Sequence, residues 1–485
     1  MKGLLYTQPP AVEVYTGDPF SSPCKAIVVP VMQDETGRPV VALDRGGRLA
    51  ESISLGLFKG EVGNLLEIAV EGKVLVYAGI GKGELEQVRR GVAAGTRRAS
   101  DKDCLLLYLS HLTAEAASEA LLASLLASYR LDYFRSSREN KISKLLVSRE
   151  DLDLKRISSI AEGVYLARDV ANAPPHELPP ARLAERVAEL FRGAAEVEVF
   201  DFQRLLREGF GGIVNVGMGS EEKPVLIVVK YRGGEGRPIA LVGKTVVFDS
   251  GGINLKPGDS IVYMRSDKAG GAAVLGIIWS AARMGLKLNL VGLVPAVINV
   301  PSGSSYLPSD VIRLWDGTKV EINNTDAEGR LIIGDAIAYA AKALDAEEII
   351  DLATLTGAIV VALGPLVAGL FTRDARLRDS LLDSAARTGE KLWPMPLEDD
   401  YKPWLTKNAL VGDVANSAPS RAGAAIYAAL FLERFAHGKP YAHLDIAGPG
   451  MGYEASGIAP AYWPDKSLAP GYGVRLILDY LMRRG

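Results

Sequence analysis

Within Asn324-Thr325-Asp326-Ala327-Glu328-Gly329-Arg330-Leu331, two carboxylates stand two residues apart and an arginine follows two residues later. In an extended segment or tight loop, side chains at i, i+2 and i+4 point to one side. Asp326, Glu328 and Arg330 would then present two anions and one cation to the same space, with a helix expected from Leu331. Carboxylate oxygens converging on one space suit a hard or borderline divalent cation. The plainer reading of Asp-x-Glu-x-Arg is an exposed loop with a surface ion pair, and the octapeptide alone leaves both open.

A second stretch, Leu241 to Pro257, sets Lys244, Asp249 and Lys256 in apolar, glycine-rich sequence, and Asp267 follows. Charges in such surroundings are costly to bury unless paired or bound to a metal. Each also has an ordinary reading. Lys244 could end a strand at the surface, Asp249 could cap an Asx turn, and Asp267 could cap the helix that follows. Other chemistries lack an anchor: the four histidines (His111, His176, His437, His443) show no metal-ligand spacing. No His-Glu-x-x-His occurs, and no Gly-x-Ser-x-Gly turn that a serine nucleophile would need. His443 reads as a hydrogen-bonded core histidine.

These residues need strands and helices to hold them, and the chain alternates the two throughout. Apolar strands are expected at 26–31, 74–77 and 105–108, with helices near 83–97 and 114–129. This is the pattern of a mostly parallel sheet covered on both faces. A helix over about 151–171 stops at Asn172-Ala173-Pro174-Pro175, where proline forbids continuation. Further strands are expected near 195–200, 225–231, 238–243, 288–296 and 347–352. Helices are expected near 180–193, 270–284, 331–344, 376–388, 423–436 and 473–483. A length of 485 residues exceeds one ordinary core. We therefore expect an N-terminal α/β domain over 1–150, a connecting helix over 151–172, and a larger domain over 173–485.

Composition narrows the classes. A 48% hydrophobic content with 23% charged residues describes a globular chain rather than a disordered one. A net charge of −3, with acids and bases nearly balanced over 1–150, gives no basic face for nucleic acid or an anionic membrane. Two cysteines, Cys24 and Cys104, argue against a disulfide framework or a cysteine zinc site. The start lacks the long apolar core of a signal peptide. The uncharged stretch from Leu352 to Thr372 is broken by Gly357, Gly364, Pro365 and Gly369, and reads as strand, loop and short helix rather than a membrane span. The expected compartment is the cytoplasm.

Taken together, Lys244, Asp249, Lys256, Asp267 and the Asn324–Leu331 octapeptide resemble the leucyl aminopeptidase (cytosol aminopeptidase) family of two-metal peptidases. The likeness extends through Thr354-Leu355-Thr356-Gly357, Asp413-Val414-Ala415-Asn416 and Ala442-His443-Leu444-Asp445, and covers about residues 160–485. His176, Gly271 and Pro470 depart from the family's usual pattern without falling on a proposed ligand.

The resemblance implies a smaller N-terminal α/β domain and a larger catalytic α/β/α sandwich with a mixed central sheet. It implies that Asp249 and Glu328 bridge two divalent ions, manganese or zinc. Asp326 would complete the first ion through its carboxylate and backbone carbonyl; Lys244 and Asp267 would complete the second. Lys256 and Arg330 would be catalytic without binding metal, Arg330 holding a bicarbonate ion. Met264, Thr354, Leu355 and Gly357, with Lys256, would contact substrate. The charges agree, since four carboxylates match two divalent cations. The implied activity is removal of leucine and other apolar residues from peptide N-termini, through water activated between two metals, in a homohexamer. A narrow dipeptidase and a non-catalytic DNA-binding role stand as rivals.

Overall fold

A computed structural model describes residues 6–33, 43–137, 141–452, 455, 457–464 and 467–484. The described residues divide into two compact units, one formed by those within 6–165 with 458–464, the other by those within 166–457 with 467–484. The division falls inside the helix Leu154–Asn172.

Among its described residues the first unit contains six strands: β1 (Ala11–Val14), β2 (Ala26–Val31), β3 (Leu65–Val70), β4 (Lys73–Gly79), β5 (Cys104–Leu107) and β6 (Lys144–Val147). They form one sheet in the order β1-β6-β5-β2-β4-β3, parallel except for the β3–β4 hairpin. The unbroken apolar run of β2 is buried along its whole length, as a strand covered on both faces must be. Cys24 and Cys104, which flank neighbouring strands, are joined as a disulfide. Composition argued against a framework of such bonds, and this single pair arises because parallel pairing of β2 with β5 sets the two thiols side by side.

The second unit carries β7 (Glu196–Phe200), β8 (Val225–Arg232), β9 (Ile239–Gly243), β10 (Thr245–Asp249), β11 (Asn289–Asn299), β12 (Val311–Arg313), β13 (Lys319–Glu321), β14 (Glu348–Ala353), β15 (Ala368–Phe371), β16 (Leu392–Pro394), β17 (Val414–Ala415) and β18 (Tyr441–Asp445). Its main sheet runs β16-β15-β18-β14-β9-β11-β8-β7, with β10 added along β11. The centre is parallel, whereas β15–β18, β8–β11 and β7–β8 are antiparallel, so the sheet is mixed as expected. The expected strands and helices are present with small shifts at their ends. The stretch after β14 becomes a loop, the helix Gly357–Leu363 and strand β15. Among the described residues no helix is long and apolar enough to cross a membrane.

Candidate active site

The octapeptide is not extended. Asn324 accepts the N–H of Asp326 at 2.9 Å and closes a 3₁₀ turn over Thr325–Ala327, and an α-helix starts at Gly329 rather than at Leu331. Local capping by a short polar side chain has won over the extended spacing rule. Asp326 therefore lies in the turn, Glu328 at the helix entry, and Arg330 in the first helical turn.

The second stretch reaches the same place from the carboxyl ends of the parallel strands, where open α/β sheets place their ligands. Lys244 sits in the gap between β9 and β10, Asp249 ends β10, and Asp267 precedes the helix Ala269–Met284. The Lys244 ammonium lies 2.9 Å from Asp267 Oδ2, 2.9 Å from Glu328 Oε1 and 2.9 Å from the Thr354 carbonyl oxygen. The Lys256 ammonium lies 2.8 Å from Asp249 Oδ2 and 2.5 Å from Asp326 Oδ1. Gly329 lacks a side chain for a reason: a Cβ there would meet Lys244 Cε at 2.6 Å.

Electrostatically the cluster is short of positive charge, since two ammoniums face four carboxylates. Burial pushes Asp267 up to about 7 and Asp326 up to about 6, with neighbouring carboxylates adding to the shift. Burial and Glu328 also raise Asp249. Burial pulls Glu328 upward too, but Lys244 and Lys256 outweigh it and its carboxyl lies below the usual value. Both lysines are held above the ordinary lysine value because the carboxylates outweigh their burial. Asp249, Asp326 and Glu328 each offer an oxygen within 4.8 Å of the others, and Glu328 Oε2 is buried with no hydrogen bond among the described residues. Such an oxygen-rich, electron-pair-rich cluster fits divalent metal ions.

Arg330 is buried, and its guanidinium lies 5.8 Å from the Tyr427 ring centroid. With Asp326 it lines a cavity of about 1000 Å³, together with Leu355, Gly357, Met395 and Ile426. Thr354 is taken up by the cluster itself, donating from Oγ1 to Asp267 Oδ1 at 2.6 Å. The Leu355 N–H donates to Asp445 Oδ1 at 3.1 Å. Met264 is buried, and its carbonyl accepts the Asp267 N–H. His443 is a core histidine, with Nδ1 2.8 Å from Asp351 Oδ1.

Reading the spacing missed two asparagines. Asn416 accepts the N–H groups of Asn323 (2.8 Å) and Asn324 (3.2 Å) and donates to the Asn324 carbonyl at 2.6 Å, fixing the approach to the octapeptide. Asn299 donates to both Asp249 and Thr325. The sequence signal for Asn299 was a lone amide ending a long apolar strand.

Carboxylates and lysines thus gather beside a cleft at the strand ends, in an arrangement that fits the peptidase class to which the sequence comparisons assign the chain. The chain belongs to the cytosol aminopeptidase family, whose catalytic-domain model matches residues 165–478. It is 55% identical to a probable cytosol aminopeptidase of Aeropyrum pernix, over 99% of both chains. It is 38% identical to one of Geobacter sp., over 98% of this chain and all of the relative. Among solved structures, a tomato leucine aminopeptidase mutant matches with a TM-score of 0.85 and 28% identity over 99% of each chain. The bottromycin maturation enzyme BotP, in complex with Mn, matches with a TM-score of 0.85 and 31% identity over 95% of this chain and 99% of that one. The protein is thus a leucyl aminopeptidase-type hydrolase.

Proposed function

We propose that the chain is a two-metal aminopeptidase that removes leucine and other apolar residues, with broad preference, from peptide N-termini. The observation that carries this is the convergence of Lys244, Asp249, Lys256 and Asp267 with Asp326 and Glu328 in one buried cluster. Two divalent ions, manganese or zinc, would be held there by Lys244, Asp249, Asp267, Asp326 and Glu328, and when bound would supply water activation and carbonyl polarisation.

Lys256 keeps its proton among carboxylates and remains partly exposed, which supports a role in which its ammonium would donate to the oxyanion formed from the scissile carbonyl. Arg330 cannot take a proton; its buried charge would instead hold a bicarbonate ion on the cavity wall. Leu355 and Gly357 would align the peptide backbone, and Met264 and Thr354 would shape the pocket. An apolar lining selects by only about 1–3 kcal/mol per methylene, which favours broad use of apolar residues. The relatives' names support a cytoplasmic location, and a homohexamer rests on the family resemblance alone; balanced charge supports a role without membrane or nucleic acid. The test compares hydrolysis of leucine, methionine, alanine and aspartate amides with that of N-acetyl-leucine amide. The apolar amides should be cleaved within about 100-fold of one another and the acetylated one left intact. Cleavage of the acetylated compound at a similar rate would refute an exopeptidase.

A further inference from the structure

We propose that Asn299 is a positioning residue for the metal centre, its side-chain amide locking Asp249 into the orientation that leaves one oxygen for a cation. The proposal rests on the two-metal reading above. Strand β11 is apolar and buried along most of its length and ends at Asn299, which is 1% exposed. Parallel pairing with β10 sets Asn299 directly opposite Asp249. The Asn299 carbonyl takes the N–H and the hydroxyl of Ser250, at 3.0 and 2.9 Å, which pins the end of β11 to the residue after Asp249.

The side chain does something else. Nδ2 donates to Asp249 Oδ1 at 2.9 Å and to the Thr325 carbonyl at 3.0 Å. Both partners are pure acceptors, so the NH₂ group must face them and the amide has one permitted orientation. Oδ1 of Asn299 is left buried without a partner among the described residues. That leftover group is costly, and only the two donated bonds offset it. A Cβ on Gly252 would sit 2.8 Å from that oxygen, so this placement of the amide requires glycine at 252.

Asp249 Oδ1 also accepts the Gly251 N–H at 2.9 Å, so two donors occupy it. Oδ2, 2.8 Å from the Lys256 ammonium, is the oxygen left to take a cation. Thr325 immediately precedes Asp326 in the turn. One NH₂ group therefore ties Asp249 at the strand end to the turn that carries Asp326 and leads into Glu328, and fixes the spacing between them. Outer groups that orient metal ligands are worth about 10–100-fold in affinity.

The test measures Mn²⁺ affinity of the full metal-free chain by competition with a fluorescent chelator, beside its thermal unfolding. The variants are Asn299→Leu, which keeps the volume, Asn299→Ala, which carries the test if the leucine does not fold, and Tyr306→Phe. Tyr306 donates to the same Thr325 carbonyl at 2.7 Å, with no hydrogen bond to Asp249 among the described residues. The folded Asn299 variant should bind Mn²⁺ about 10–100-fold more weakly, with Tyr306→Phe within about threefold of the parent. A general structural role would move melting temperatures in both and leave affinity alone. Affinity within twofold of the parent in the Asn299 variant, or an equal loss in Tyr306→Phe, overturns the proposal. A parent chain that binds no Mn²⁺ fails the metal reading itself, and the proposal with it.

Discussion

Lys244 donates to the Thr354 carbonyl and lies 2.9 Å from two carboxylate oxygens, surroundings that favour an ammonium with all three protons. To ligate a metal it must release one, and Asp267 and Asp326 hold protons up to about 7 and about 6 because burial disfavours their charge. Protons therefore compete with the metal. Affinity for Mn²⁺ should rise as pH goes from about 5.5 to 7.5, with protons released on binding, measured by calorimetry in buffers of differing ionisation enthalpy. In the metal-free chain the sign is opposite. Carboxyls raised above their unfolded values add stability that is present at low pH and lost as pH climbs through 6 to 7. A pH-independent affinity would mean these groups are not the ligands. At this scale charge in apolar sequence drew attention to Lys244, Asp249, Lys256 and Asp267, and spacing to Asp326 and Glu328, but only the family likeness joined them into one site. Asn299 and Asn416 were not, because their partners are brought by strand register and loop closure rather than by spacing along the chain.

At the scale of elements, the site depends on a 3₁₀ turn running into a helix packed against the lysine between β9 and β10. Gly329 is the contact point. Lys244 is held at its far end by three partners, so it cannot swing aside to admit a methyl group 2.6 Å from its Cε. Gly329→Ala should cost about 1–3 kcal/mol of stability by overpacking. It should also weaken Mn²⁺ binding, read from thermal unfolding with and without metal. A fully stable variant with unchanged metal binding would mean that Lys244 is not held as described. The long elements were readable from apolar runs and proline stops. The spacing left an extended segment and a tight loop both open, and could not choose the turn because the Asn324 cap and the anchoring of Thr325 by Asn254 and Gly251 are contacts that periodicity does not report. Short strands such as Ala11–Val14 and Leu392–Pro394 carry too few residues to show a period.

At the scale of the molecule, one unit assembles the whole candidate site from residues between Lys244 and Asp445. The mixed sheet supplies it from strand ends, and the octapeptide supplies it from a turn. The Cys24–Cys104 pair belongs to the other unit. Composition could not reveal it, because two cysteines 80 residues apart meet only through strand order. Alternating apolar runs and helical stretches pointed to a mostly parallel sheet, chain length pointed to more than one core, and the mixed sheet and the family came from the likeness carried by the octapeptide with its lysines.

The most direct test of the two-metal centre is leucine amide hydrolysis by the chelated, metal-free chain during titration with Mn²⁺, with bound metal counted in parallel. The account predicts no turnover before metal is added and activity that saturates at about two ions per chain. Turnover that persists after complete metal removal, or full activity with the Glu328→Gln variant at unchanged metal content, would contradict it.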